Sequence, residues 1–215
     1  MNITIHRGTL LDASWKTDLL AALHMTEWNV DTTPTMILSR ASSGHPIIVL
    51  EDELMKADAE HLAETYGLSV MHGAVSPIGL GEVVLVKTGG DIARMPRTID
   101  HLMNNGYFGK VPEEYDTAIL ADITLLPTRR GTGDDASALL ETTLEYLGRD
   151  PRIGDRVFTY TPNVSALKRW HERHGAEDTA HVIVGARPFY HQPDVNVMSY
   201  EKKIAELRRK EKDAA

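Results

Sequence analysis

Apolar residues recur along this chain in two alternating patterns, period-two runs and steps of three to four, and the pattern predicts alternating strands and helices. Residues 2–7 alternate like a strand, and Ser14 to Glu27 places Trp15, Leu19, Ala22 and Leu23 on one side of a helix. Residues 28–45 read as a polar loop marked by Thr33-Pro34 and Ser42-Ser43-Gly44. His45 to Leu50 has the continuous apolar run of a buried strand, and Glu53 to Tyr66 is rich in helix formers that stop at Gly67. Glu82 to Lys87 predicts a strand halted by Gly89-Gly90, and Arg97 to Asn105 a helix ending near Gly106.

From Ile119 a β-branched apolar run reaches Pro127, passes through Thr128-Arg129-Arg130-Gly131-Thr132-Gly133-Asp134-Asp135, and becomes a helix whose inward positions are 136, 139, 140, 143, 144 and 147. Such a turn leaves backbone N–H groups unpaired at the positive end of a helix dipole, a site suited to phosphate. Arg156 to Thr161 then reads as a strand, and Asn163 to Gly175 as an amphipathic helix with Ala166, Leu167 and Trp170 on one face. Ala180–Val184 and Val195–Tyr200 predict two more strands, joined through Arg187-Pro188 to Pro193. The result is a mixed α/β fold with a partly antiparallel sheet, expected as one domain over residues 1–200 and followed by a charged helix or tail over 201–215.

Composition narrows the classes. Apolar residues make up 42% and charged residues 25% of 215, as in ordinary globular proteins. No apolar run is long enough for a membrane span, and the N-terminus lacks the apolar core of a secretory signal. The absence of cysteine removes disulfides, thiolate catalysis and cysteine-held metal, and a cytoplasmic location is the default expectation. A net charge of −8 argues against nucleic acid as the main partner and suits a cationic amine. His171 and His174 lack the spacing of a zinc protease helix and read as exposed histidines near a helix C-terminus; no metal site is expected.

The Pro127–Asp135 turn with the Asn163–Gly175 helix resembles the GNAT superfamily of acyl-CoA N-acyltransferases. That family has a strand, a Pro, then Arg/Gln-x-x-Gly-x-Gly/Ala before a helix bearing a Leu pair; Pro127, Arg130, Gly133 and Leu139 match, and Asp135 stands where the family has Gly or Ala. Its later Asn-x-x-Ala-x-x-x-Tyr is matched by Asn163 and Ala166, with Trp170 in place of Tyr. The match is specific over residues 117–200, and residues 1–116 read as an elaborated half whose inserts would line the acceptor pocket.

The resemblance implies a GNAT-like central sheet flanked by helices, with two strands splayed into a wedge for acetyl-CoA or another acyl-CoA. Backbone groups of Ile123 and Leu125 would pair with pantetheine. The amides of Arg130, Gly131, Thr132, Gly133, Asp134 and Asp135 would hold the pyrophosphate, and Asn163 would steady the pantetheine arm. A small-molecule or peptide amine would attack the thioester directly, and a homodimer is compatible with this reading. Asp122, a carboxylate inside an apolar strand, is the candidate base. Trp170 has no acidic proton, so Tyr160 and Tyr200 are the weaker candidates for the acid. Two alternatives remain: a catalytically degenerate acyl-CoA-binding protein, and an acyltransferase that draws on a carrier-protein thioester.

Overall fold

Strand pairing begins at the N-terminus of the computed structural model, which describes residues 1–7, 14–28, 33–95, 103–104, 107–131, 134–162, 164–184 and 194–214. In chain order the elements are β1 (Asn2–His6), α1 (Ser14–Trp28), α2 (Pro34–Ser42), β2 (Ile47–Glu53), α3 (Lys56–Tyr66), β3 (Val75–Val86), β4 (Met103–Asn104) and β5 (Tyr107–Phe108). They continue with β6 (Thr117–Leu125), a 3-10 turn at Pro127–Arg129, α4 (Asp135–Gly148), β7 (Val157–Pro162), α5 (Ser165–Arg173), β8 (Glu177–Val184), β9 (Asp194–Ser199) and α6 (Glu201–Ala214). Seven strands form a sheet in the order β1-β2-β3-β6-β7-β9-β8, and β4-β5 make a separate two-stranded ladder. The β1–β2, β2–β3, β7–β9 and β8–β9 ladders are antiparallel, whereas β6 runs parallel to β7.

The chain folds as two compact units, one of Met1–Glu82, Gly106–Phe108 and Asp122–Leu140, the other of Val83–Asn105, Gly109–Ala121 and Glu141–Ala215. In the first, Leu19 to Leu23 of α1 are all buried, so this helix is enclosed on more than the single side its spacing predicts. In the second, Leu144 and Leu147 of α4, Val157 of β7, and Val195, Val197 and Met198 of β9 are buried. No helix among the described residues is long and apolar enough to cross a membrane.

Three expectations are corrected. Where a polar loop was expected, α2 forms: the Thr33 hydroxyl accepts from the Met36 N–H at 3.3 Å, and Pro34 takes the first helical turn. Its polar composition hid it, because its inward face carries Arg40, 1% exposed, beside Ile37 and Ala41. Strand β3 starts at Val75, seven residues before the expected start, since Pro77, Gly79 and Gly81 break the apolar run. Pro77 is tolerated there because the β2–β3 register shifts at Leu50/Glu51 and pairs it with Glu51. The helix expected over 97–105 lies mostly outside the described residues, and its end, Met103–Asn104, is strand.

Candidate active site

Strand β6 leads into the turn. Its ladder with β7 runs from Ala118↔Val157 to Leu120↔Thr159 only, so Ile123 and Leu125 lie past the end of that ladder. Beyond Leu125 the chain enters the 3-10 turn, Gly131 takes a left-handed φ of 71°, and α4 starts at Asp135. Gly131 is exposed and a Cβ there would meet nothing within 4 Å, so backbone conformation alone favours glycine. Arg130 is exposed, and its Nε donates to the Leu125 carbonyl at 3.1 Å. Asp134 is exposed and Asp135 half-buried. Thr132, Gly133 and Asn163 lie outside the described residues.

The adjacent arginine does different work. Arg129, 8% exposed, donates from Nε to Asp58 Oδ2 at 2.9 Å and from Nη2 to the Glu53 carbonyl at 2.6 Å. Asp58 is fully buried; its Oδ2 also accepts from the Met55 N–H at 2.7 Å, and Thr128 donates to its Oδ1. One carboxylate therefore caps α3 and fixes the 3-10 turn. Sequence separation of about 70 residues conceals this pairing.

Four ionisable side chains converge in the same unit. Asp122 on β6 is 6% exposed and accepts from the Thr124 hydroxyl at 2.7 Å. His24 of α1 and Glu82 of β3 join it, one ligand-type atom from each lying within 4.8 Å of the others. Arg40 Nη1 reaches both Glu82 oxygens, at 3.0 and 3.2 Å, and His24 Nε2 lies 3.5 Å from Glu82 Oε2. Burial alone would push Glu82 up, but the Arg40 guanidinium and then His24 offset it and hold this carboxyl at about 2. A histidine and two carboxylates are a donor set for a divalent cation, but here Arg40 already brings a cation to Glu82. Of this quartet, the sequence singled out Asp122 alone; His24, Arg40 and Glu82 carried no spacing that announces them.

A cavity of about 400 Å³ opens in this unit, lined by Asp18, Ala21, Ala22, Pro34, Tyr66 and Leu68 among others. It is walled partly by the end of α3, the insert between β2 and β3.

In the second unit the tyrosine candidates differ, Tyr160 being half-buried. Tyr200 is fully buried, and its hydroxyl lies 2.7 Å from His171 Nδ1. Burial raises both the Tyr160 and Tyr200 phenols well above their ordinary range. His171 is buried rather than exposed as expected, and burial, with His174 beside it, lowers it to about 4. The expected apolar face of α5 is accordingly not its inward face: Ala166 is exposed, Leu167 is 37% exposed, and Trp170 is half-buried against His174, ring centroids 4.5 Å apart.

No protein-family model matches the sequence, and a search of curated proteins finds no match. Solved structures do resemble it. The loading GNATL domain of CurA from Lyngbya majuscula superposes with a TM-score of 0.61 at 17% identity, over 96% of this chain and 100% of that one. The GphF GNAT-like decarboxylase in complex with isobutyryl-CoA gives 0.56 at 15% identity, over 92% and 97%. Arabidopsis thaliana NAA60 in complex with acetyl-CoA gives 0.57 at 12% identity, over 93% and 98%. At such identities the likeness is one of fold, and it agrees with the mixed sheet in which β6 runs parallel to β7. This chain has the GNAT fold.

Proposed function

We propose that the protein is an acyltransferase that moves an acetyl or other short acyl group from acyl-CoA to an amine by direct attack. The observation that carries this is Asp122: a buried carboxylate on β6, five residues before the 3-10 turn that leads to α4. Solved structures of the same fold with acetyl-CoA or isobutyryl-CoA bound support the donor. The amides of 130–135 would hold the pyrophosphate, with Asp134 and Asp135 turned away from it. Ile123 and Leu125 would pair with pantetheine, the Leu125 carbonyl first releasing Arg130. Asn163 would steady the arm.

Asp122 takes a proton from the acceptor ammonium, the freed nitrogen lone pair attacks the thioester carbonyl, and the C–S bond breaks. Tyr160 and Tyr200 are weaker acids than a thiol. We therefore assign the proton that reaches the departing thiolate to the attacking nitrogen. The cavity at Asp18 would take the acceptor, its carboxylate favouring a cationic one.

Thermal unfolding with CoA, acetyl-CoA and longer acyl-CoAs tests the donor. At a hundred times its dissociation constant, a ligand stabilises the fold by about 2.7 kcal/mol. A shift followed by amine-dependent CoA release supports the proposal, and no shift with any of them overturns it. The likeness to a loading domain favours a second reading, a carrier-protein thioester as donor, in which carrier-bound acyl groups react and free acyl-CoA does not.

A further inference from the structure

Asp18 of α1 is half-buried, and among the described residues no hydrogen bond or ion pair holds its carboxylate. Enclosed carboxylates elsewhere in the same unit are matched: Glu51 with Lys16, Asp58 with Arg129, and Glu82 with Arg40. Lys16 stands two residues from Asp18, a spacing at which side chains do not share a helix face. The helix dipole does not account for Asp18 either, since no acidic residue lies in the first turn of α1. A partly buried charge calls for a partner, and Asp18 lines the cavity of about 400 Å³.

The rest of that cavity is chiefly apolar. Ala21 and Ala22, 3% and 1% exposed, present small side chains, and Pro34 and Leu68 extend the apolar wall. Among the described residues Asp18 is the one charged side chain on the lining. A volume of this size suits a small molecule rather than a folded partner. Tyr66 stands on the wall as well. Burial raises its phenol and the Arg130 guanidinium opposes that rise, so the cavity lies beside the turn that leads to α4.

We propose that the acceptor is a small amine carrying a second, non-reacting ammonium, and that Asp18 holds this second charge. The inference rests on the acyltransferase reading above, in which Asp122 frees the reacting nitrogen. A carboxylate that stays paired with an ammonium favours its protonated form, so the nitrogen held at Asp18 is not the one that attacks. Helix α1 spaces the two carboxylates: His24, six residues after Asp18, has a ligand-type atom within 4.8 Å of one on Asp122. Six residues rise about 9 Å along a helix, a span that an extended spacer of about six carbons covers. The apolar wall then packs on the methylenes, and the product keeps its ammonium at Asp18 while carrying one new amide. With the donor bound, its pyrophosphate answers Arg130 and leaves Asp18 to the acceptor.

The test measures CoA release from acetyl-CoA with hexamethylenediamine and with hexylamine, and the binding of each amine by calorimetry. The wild type is expected to favour the diamine about tenfold or more in kcat/KM, as one charge-assisted contact allows. Asp18→Asn should bring that ratio close to one, chiefly through KM for the diamine. Asp18→Lys should turn the preference toward ω-aminohexanoate, whose carboxylate replaces the second ammonium. Calorimetry on the wild type needs no variant to fold, and it should show the diamine binding about tenfold tighter than hexylamine. No CoA release with any amine removes the acyltransferase reading and the acceptor assignment together. Equal kcat/KM and equal affinity for the two amines overturn the second ammonium and leave the acyltransferase standing. An Asp18→Asn protein that melts like the wild type and keeps its diamine preference does the same.

Discussion

The Tyr200 hydroxyl lies 2.7 Å from His171 Nδ1, both inside the second unit, on a helix whose histidines read as surface residues. His171 is neutral there, held at about 4 against an ordinary 6.5, first by burial and then by His174. The unfolded chain therefore binds this proton at higher pH than the folded one. Stability from this group is fully present above pH 6.5 and is lost as pH falls toward 4. Thermal melts across that window should show the decline, and His171→Gln should flatten it. Tyr200→Phe should lower stability by about 1 kcal/mol in denaturant titration while leaving the pH slope, since burial is the larger cause.

Glu82 gives a separate acid-side window. Its carboxyl is depressed from 4.5 to about 2, so its contribution is present above 4.5 and lost as pH falls through 2. Glu82→Gln should remove that slope. At neutral pH it should also lower stability by about 3 kcal/mol, because Arg40 is left buried with a neutral partner. Equal stability of the variant and wild type at pH 7 would contradict the geometry.

Asp58→Asn should destabilise the first unit by roughly 3 kcal/mol, through the loss of a buried partner for Arg129. Proteolysis at the 127–131 turn should rise with it, read by limited digestion of native protein.

Gly79 tests packing at the end of β6. A Cβ there would stand 2.7 Å from Leu125 Cδ2 and 3.2 Å from Leu50 Cβ. Gly79→Ala should cost about 1–3 kcal/mol in a denaturant melt. Gly131→Ala meets nothing and should cost only the left-handed backbone, about 1 kcal/mol.

Much of this arrangement is legible in the sequence, for reasons that differ by residue. The strand–Pro–Gly–helix run from Ile119 to Leu147 announces itself because each signal is local: a proline ends the apolar run, a glycine turns, and leucines at 139, 140, 144 and 147 face inward. Asp122 was visible as a charge within an apolar strand. Its companions were not, because Arg40 sits on a helix disguised by serines and threonines, and Glu82 opens what looked like a strand start. His171 was misplaced because burial of a polar group depends on a partner 29 residues away. Local pattern finds elements and turns, whereas paired buried charges are decided by contacts the pattern does not encode.

Helix α3 interrupts what would otherwise be a plain hairpin between β2 and β3, and through Asp58 it grips the turn ahead of α4. An insertion of this kind is usually free to lengthen, shrink or vanish. This one is not: shortening β2–β3 to a tight turn would remove Asp58 and its hold on Thr128 and Arg129 along with the helix. Under the proposed acyltransferase function, any change of acceptor preference built into this insert would be confined to its exposed and cavity-lining positions, with Asp58 fixed.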